Sequence, residues 1–144
     1  MREIKRIFIH CSATPPSMDI DADTIREWHK ERGWSDIGYH HVIRRDGIIE
    51  TGRDPKKIGA HVKGHNSDSL GICLVGGVAE DGRTPEANFT DEQMRSLSQF
   101  LKIMKHALGL TNADIYGHRD APGVAKACPS FDVAHWLETG EVNK

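Results

Sequence analysis

Residues 70–75 read LGICLV and run into Gly76-Gly77, a stretch that is apolar apart from Gly71 and Cys73. A short apolar run without polar alternation, bounded by glycines, suits a strand buried on both faces, and so the centre of an α/β sheet. The neighbouring segments can be arranged around it. Downstream, Thr90 and Gln93 form a capping box, and Met94, Leu97, Leu101, Met104 and Leu108 recur at steps of three and four until Gly109. This makes one apolar stripe on a helix that begins at Thr90. Upstream, residues 39–45 and 48–51 flank Asp46-Gly47, a dipeptide suited to positive φ, which predicts a β-hairpin with a two-residue turn. Residues 4–10, IKRIFIH, are β-branched and aromatic enough for a strand that ends at His10, because SATPPS at 12–17 carries two consecutive prolines and cannot continue it.

Further out, residues 21–32 predict a half-exposed helix carrying Ile25 and Trp28, with Gly33 where a C-terminal cap belongs. Residues 113–118 read as a short last strand and Ala121-Pro122-Gly123 as a turn. Ser130 is placed to cap a final helix that contains Val133, Trp136 and Leu137. Residues 78–88 read as one surface loop. Strands and helices alternate throughout. The fold class is therefore α/β: a single domain with a central mixed β-sheet of about five strands flanked by helices.

The bulk properties agree with one folded domain over residues 1–144: 38% hydrophobic and 28% charged residues suit a globular core rather than a disordered or fibrous chain. Lysine and arginine number 19 against 21 acidic residues, so a net charge of -2 offers no field to gather nucleic acid or anionic lipid. Three cysteines, Cys11, Cys73 and Cys128, without a C-x-x-C pair, argue against a disulfide framework. The start, MREIKRIFIHCSAT, is too short in apolar residues for a signal peptide or a membrane span. A chain made and kept in the cytoplasm is expected, with no stable membrane association.

Nine histidines need sorting. His29, His106 and His135 fall in helices and read as surface or hydrogen-bonded residues. His61 and His65 have H-x-x-x-H spacing, but Gly64 and the polar run after it argue against a helix that would align them. His40 and His41 are strand neighbours and point to opposite faces, whereas Tyr39 and His41 should share one. His10 and His118 differ, because each ends a strand where loop residues follow, the place where ligand sites gather on α/β folds. Cys128, between Ala127 and Pro129 in a loop, is either a third metal ligand beside these two imidazoles or a free thiol. No compact metal signature such as H-E-x-x-H decides between them.

Several segments in order, HCSAT at 10–14, WHKERGW at 28–34, GYHHVIRRDG at 38–47, HNSDSLGICLVGG at 65–77, ANFTDEQM at 87–94 and KACPSFD at 126–132, closely resemble the type-2 N-acetylmuramoyl-L-alanine amidases. This family includes small phage lysozymes and is related to peptidoglycan recognition proteins. The likeness runs from about residue 7 to residue 136. It implies the amidase/peptidoglycan recognition protein-like fold. It also implies hydrolysis of the amide bond between N-acetylmuramic acid and L-alanine in peptidoglycan, with one Zn2+ per chain, as in an endolysin. By resemblance the zinc ligands fall on His10, His118 and Cys128, the catalytic tyrosine on Tyr39 and the catalytic lysine on Lys126. The family's substrate-cleft histidine falls on His61, within a looser match, GAHVKGH.

The likeness also sets expectations about partners and competing functions. Peptidoglycan is the substrate, reached after release across the membrane by a route that the sequence does not identify, and a monomer is expected. The segment before the first strand is shorter than in the coliphage pattern, the loop at 121–125 is slightly longer, and RNA polymerase binding is not supported. A non-catalytic peptidoglycan-binding module on the same fold is the alternative, which Tyr39 and Cys128 argue against. A glycosidase would give the same lysis through paired carboxylates and without zinc. A zinc nucleobase deaminase would need H-x-E with P-C-x-x-C, which the chain lacks.

Overall fold

The LGICLV run forms the middle of the sheet, with a strand on either side and every residue buried. The computed structural model describes residues 2–143. Five strands, β1 (Arg6–Cys11), β2 (His41–Ile43), β3 (Ile49–Thr51), β4 (Ser69–Leu74) and β5 (Ile115–Gly117), make one mixed sheet in the order β3-β2-β4-β1-β5. Three helices, α1 (Ala22–Glu31), α2 (Asp91–Leu108) and α3 (Val133–Thr139), cover it. β1 runs parallel to both β4 and β5, β2 runs parallel to β4, and only the β2–β3 pair is antiparallel.

Alternation along the strands gives the sheet two unlike faces. On one, Ile7, Ile9, Ile43, Leu70, Ile72 and Leu74 pack against Leu97 and Leu101 of α2 and against Val133 and Trp136 of α3. Each of these fully buried aliphatic side chains contributes roughly 1.5–3 kcal/mol through loss of water contact. On the other face, α1 supplies Ala22 and Ile25 against Val42 and Cys73, while Phe8 meets Val62 and Ala121 from loops. His10, two residues beyond Phe8, opens onto this loop-covered face.

α2 is tied to the sheet by its own cap. Thr90 Oγ1 accepts from the Gln93 N–H at 3.1 Å, and Gln93 Oε1 accepts from the Thr90 N–H at 2.9 Å. Gln93 Nε2 then donates to the carbonyls of Ile43 (3.1 Å) and Val75 (2.9 Å), linking the ends of β2 and β4.

Three local expectations change. The Asp46-Gly47 turn is not a two-residue loop: the Arg44 N–H donates to Ile48 O, the Gly47 N–H donates to Arg44 O, and only Gly47 has positive φ (88°). This is the three-residue connection in which a turn is followed by a left-handed glycine. Ser130 does not cap the last helix, because its hydroxyl donates to Gly77 O at 2.8 Å; Asp132 does, accepting from the His135 N–H. The last strand begins only at Ile115, since residues 112–114 form a 3-10 turn.

Candidate metal centre and cleft

His10 lies near the C-terminal end of β1, and His118 is the first residue after the C-terminal end of β5. The two strands are parallel neighbours, with Ile9 opposite Gly117, so residues far apart in sequence meet at one edge. Such carboxyl ends of parallel strands are where α/β folds place their ligands. The Nδ1 atoms of His10 and His118 stand 3.1 Å apart. Cys128 enters from the turn at 127–130, which is closed by Ser130 N–H donating to Ala127 O at 2.7 Å. Its carbonyl accepts from the Arg119 N–H at 2.7 Å, and its Sγ accepts from the Cys11 N–H at 3.1 Å.

One donor atom from each of His10, His118 and Cys128 lies within 4.8 Å of the others. Tetrahedral zinc with bonds of about 2.0–2.3 Å holds its donor atoms roughly 3.3–3.8 Å apart, so this cluster needs little adjustment to fit. Two imidazoles and a thiol also suit zinc better than a hard, oxygen-seeking cation.

Electrostatics keep the imidazoles neutral. Burial, with help from His61, His118 and Lys126, holds His10 well below the usual histidine range. Burial and Lys126 bring His118 down to about 4, and burial with the neighbouring His40 brings His61 to about 3. A neutral imidazole is the form that binds a metal. Cys128 is pushed up, first by its hydrogen bond with the Cys11 thiol and then by burial. Cys11 follows His10 within β1 and so faces the other side of the strand, with its Sγ against Gly77, and Cys128, arriving past the end of β1, meets it there.

Tyr39 packs its ring 5.0 Å from that of His10, and Cys73, Cys128 and Cys11 all act on its hydroxyl. Burial raises the phenol well above its ordinary range, so it stays a hydrogen-bond donor. Tyr39 and His41 do not share a face. β2 starts only at His41, and Tyr39 joins the α1 side with Val42, while His41 stacks edge-on against Phe100 of α2, with ring centroids 4.8 Å apart. Lys126 is exposed and lines a cleft of ≈ 740 Å³ together with His118, His61, Val62, Asn66 and Trp34. Trp34, 38% exposed, and Asn66 do not stand out in the sequence, although an exposed tryptophan after a glycine is the signal that could have found the first.

The remaining histidines have local duties. His29 Nδ1 accepts from the Gly38 N–H at 2.9 Å, and His40 Nδ1 accepts from the Gly71 N–H at 3.0 Å. His106 is exposed on α2. His61 and His65 sit in a turn with Gly64 at φ 83°, not on a helix, and only His61 is buried.

A family model described as N-acetylmuramoyl-L-alanine amidase matches residues 1–131. The chain is 50% identical over 141 residues to the endolysin of Klebsiella phage KP32, covering 98% of this chain and 90% of that one. It is 48% identical over 138 residues to the endolysin of Escherichia phage T7, covering 94% and 87%. Among solved structures it is similar to the N-acetylmuramoyl-L-alanine amidase LysC from Clostridium intestinale URNW, with a TM-score of 0.78, 29% identity and coverage of 95% and 87%. No helix among the described residues is long and apolar enough to cross a membrane.

Proposed function

The chain belongs to the N-acetylmuramoyl-L-alanine amidase family and is a peptidoglycan amidase of the phage endolysin type, and from there we propose that it works as a zinc hydrolase with His10, His118 and Cys128 holding one ion. The observation that carries the reading is the approach of two imidazoles and a thiol to within 4.8 Å, with one of them, His118, lining an open cleft. Bound there, zinc would lower the pKa of a coordinated water to about 7 and polarise the scissile carbonyl.

The chain's own residues do the rest. The cleft seats the substrate between Trp34 and Val124, with apolar walls suited to a sugar face and a lactyl methyl. Attack on the lactyl carbonyl builds negative charge on its oxygen. Tyr39, protonated and beside His10, donates a hydrogen bond to that oxygen, and the ammonium of Lys126 supplies a nearby positive charge. As the C–N bond breaks, the leaving L-alanine nitrogen needs a proton, and the Tyr39 hydroxyl is the group this reading assigns to relay it.

The test is the product pattern on purified peptidoglycan. The proposal requires new free L-alanine amines without new reducing sugars, loss of activity on chelation and its return with Zn2+. Cys128→Ser should lose bound zinc by elemental analysis and lose lysis, while Cys73→Ala keeps both. New reducing ends, or full lysis by the Cys128→Ser protein, would sink it.

A further inference from the structure

We infer that His61 and Ser69 are positioning residues for His10: they complete a buried hydrogen-bonded chain that presents His10 Nδ1 to the metal with its lone pair free. The inference rests on the zinc reading above, but the chain itself follows from the fold. Its far end is a main-chain carbonyl. Ser69 Oγ donates to His65 O at 2.6 Å, and a carbonyl can only accept. Ser69 therefore meets His61 Nε2, 3.3 Å away, with a lone pair, and His61 must carry its hydrogen on that nitrogen. His61 Nδ1 is left bare. It lies 2.9 Å from His10 Nε2, which must then be the protonated nitrogen of a neutral His10. The unprotonated atom of His10 is Nδ1, the one that faces His118 Nδ1 at 3.1 Å. One backbone carbonyl thus sets three protonation sites in series.

The sequence makes room for this chain at some cost to the sheet. Gly71 lies in the middle of β4, where a side chain would normally pack, and a Cβ there would meet three His61 ring atoms at 2.7–2.9 Å. Gly59 is similar, with a Cβ 2.8 Å from both the His40 and the His61 rings. Two glycines therefore shape the seat of one imidazole. Asn66 fixes the backbone that carries it, its Oδ1 accepting from the His61 and Val62 N–H groups at 2.9 and 2.8 Å. Ser69 is fully buried and His61 is 8% exposed, so water does not compete for these bonds. Both ring nitrogens of His61 are used inside the protein. Although the ring lines the cleft, it offers substrate only its carbon edge. A histidine that ligates a metal gains orientation and basicity from a partner on its other nitrogen, and here that partner is His61.

The experiment measures zinc affinity of the full chain by competition with a chromogenic chelator, alongside the urea midpoint of each metal-free protein. His61→Leu and Ser69→Ala should bind zinc about 10–100-fold more weakly than wild type. His61→Asn should recover affinity to within a few-fold, because its Oδ1 takes the place of the imidazole Nδ1 and accepts the same bond. In zinc-loaded wild type with 15N-labelled histidine, the His10 Nε2–H should appear as a slowly exchanging imidazole proton and vanish in His61→Leu. Ser69→Ala removes one buried oxygen and serves where His61→Leu does not fold. Wild type without zinc would defeat the metal reading itself. Zinc-binding wild type with unchanged affinity in His61→Leu and a raised KM would overturn the inference and make His61 a substrate contact. So would His61→Asn binding as weakly as His61→Leu.

Discussion

Gly71→Ala is the smallest change that tests how tightly the His61 seat is built. By intrinsic preference it should help, since glycine inside a strand is roughly 0.5–1 kcal/mol worse than alanine. The structure reverses that sign. The added methyl would stand 2.7, 2.8 and 2.9 Å from Cγ, Cδ2 and Nδ1 of His61, against 3.4 Å for ordinary contact. The ring must move by about 0.7 Å, and overpacking of this kind costs about 1–3 kcal/mol. It cannot back away freely, because Gly59 also stands tight against the same ring and His61 is buried. If the shift lengthens the 2.9 Å contact to His10 Nε2, that distance reaches about 3.6 Å, where a hydrogen bond is gone. The expected net result is a loss of about 1–2 kcal/mol in urea unfolding of the metal-free protein, with zinc affinity down about tenfold and peptidoglycan clearing slowed in step. A Gly71→Ala protein as stable as wild type, or more so, with unchanged zinc binding and lysis, would refute the seat as described.

Other perturbations separate chemistry from scaffold. Tyr39→Phe should keep zinc content and stability while lysis falls about 10²–10³-fold, the usual effect of losing one donor at a developing oxyanion; unchanged turnover would remove the hydroxyl from the mechanism. Lys126→Ala, at an exposed cleft position, should lower kcat without moving the urea midpoint, and Lys126→Arg should restore part of it. Gln93→Ala should cost about 1–2 kcal/mol, because the Thr90 N–H loses its acceptor and the carbonyls of Ile43 and Val75 each lose one of two donors, Ile43 O keeping the Val75 N–H and Val75 O keeping Arg45; a loss under about 0.5 kcal/mol would mean that the cap does not clamp the sheet. Burial brings His29, His40 and His41 each to about 4 in the folded protein, against 6.5 when unfolded. Between those values the unfolded chain binds more protons, so stability should fall as pH drops from about 6.5 to 4, by about 1.4 kcal/mol per pH unit for each histidine. His41→Phe, which touches no candidate ligand, should flatten that slope by about one proton in urea titrations at stepped pH.

Which parts of the molecule are legible in the sequence follows from which forces are local. The Leu97 and Leu101 stripe and the Thr90–Gln93 box can be read because helix period and capping act over a few residues, and both form as expected. The Asp46-Gly47 turn and the Ser130 cap mislead for a related reason. Each dipeptide or side chain has two local options, and the choice is made elsewhere: Ser130 is drawn off to Gly77 O, which frees Asp132 to cap. Tyr39 and His41 lie on opposite faces, not on the shared one expected, because alternation applies only within a strand, and β2 starts two residues after Tyr39. His10 and His118 can each be recognised as strand-end residues, but their meeting depends on β1 lying beside β5, which no spacing encodes. The resemblance to a family carries that step.

Gly71 marks the boundary between the two kinds of information. In a run as apolar as LGICLV, a glycine at a position with ordinary backbone geometry signals that another group occupies the space above it. The residues alone locate that signal at the centre of the sheet, one position away from the contacts that build the core. They cannot name the occupant, because His61 reaches it from a loop whose path is set by the Asn66 side chain and not by any periodic pattern. Once the occupant is known, the glycine is accounted for by chemistry rather than by folding. The sheet gives up a side chain in its central strand so that an imidazole can stand against His10, and a substitution that adds the missing methyl should displace that ring, at the expense of both stability and the site.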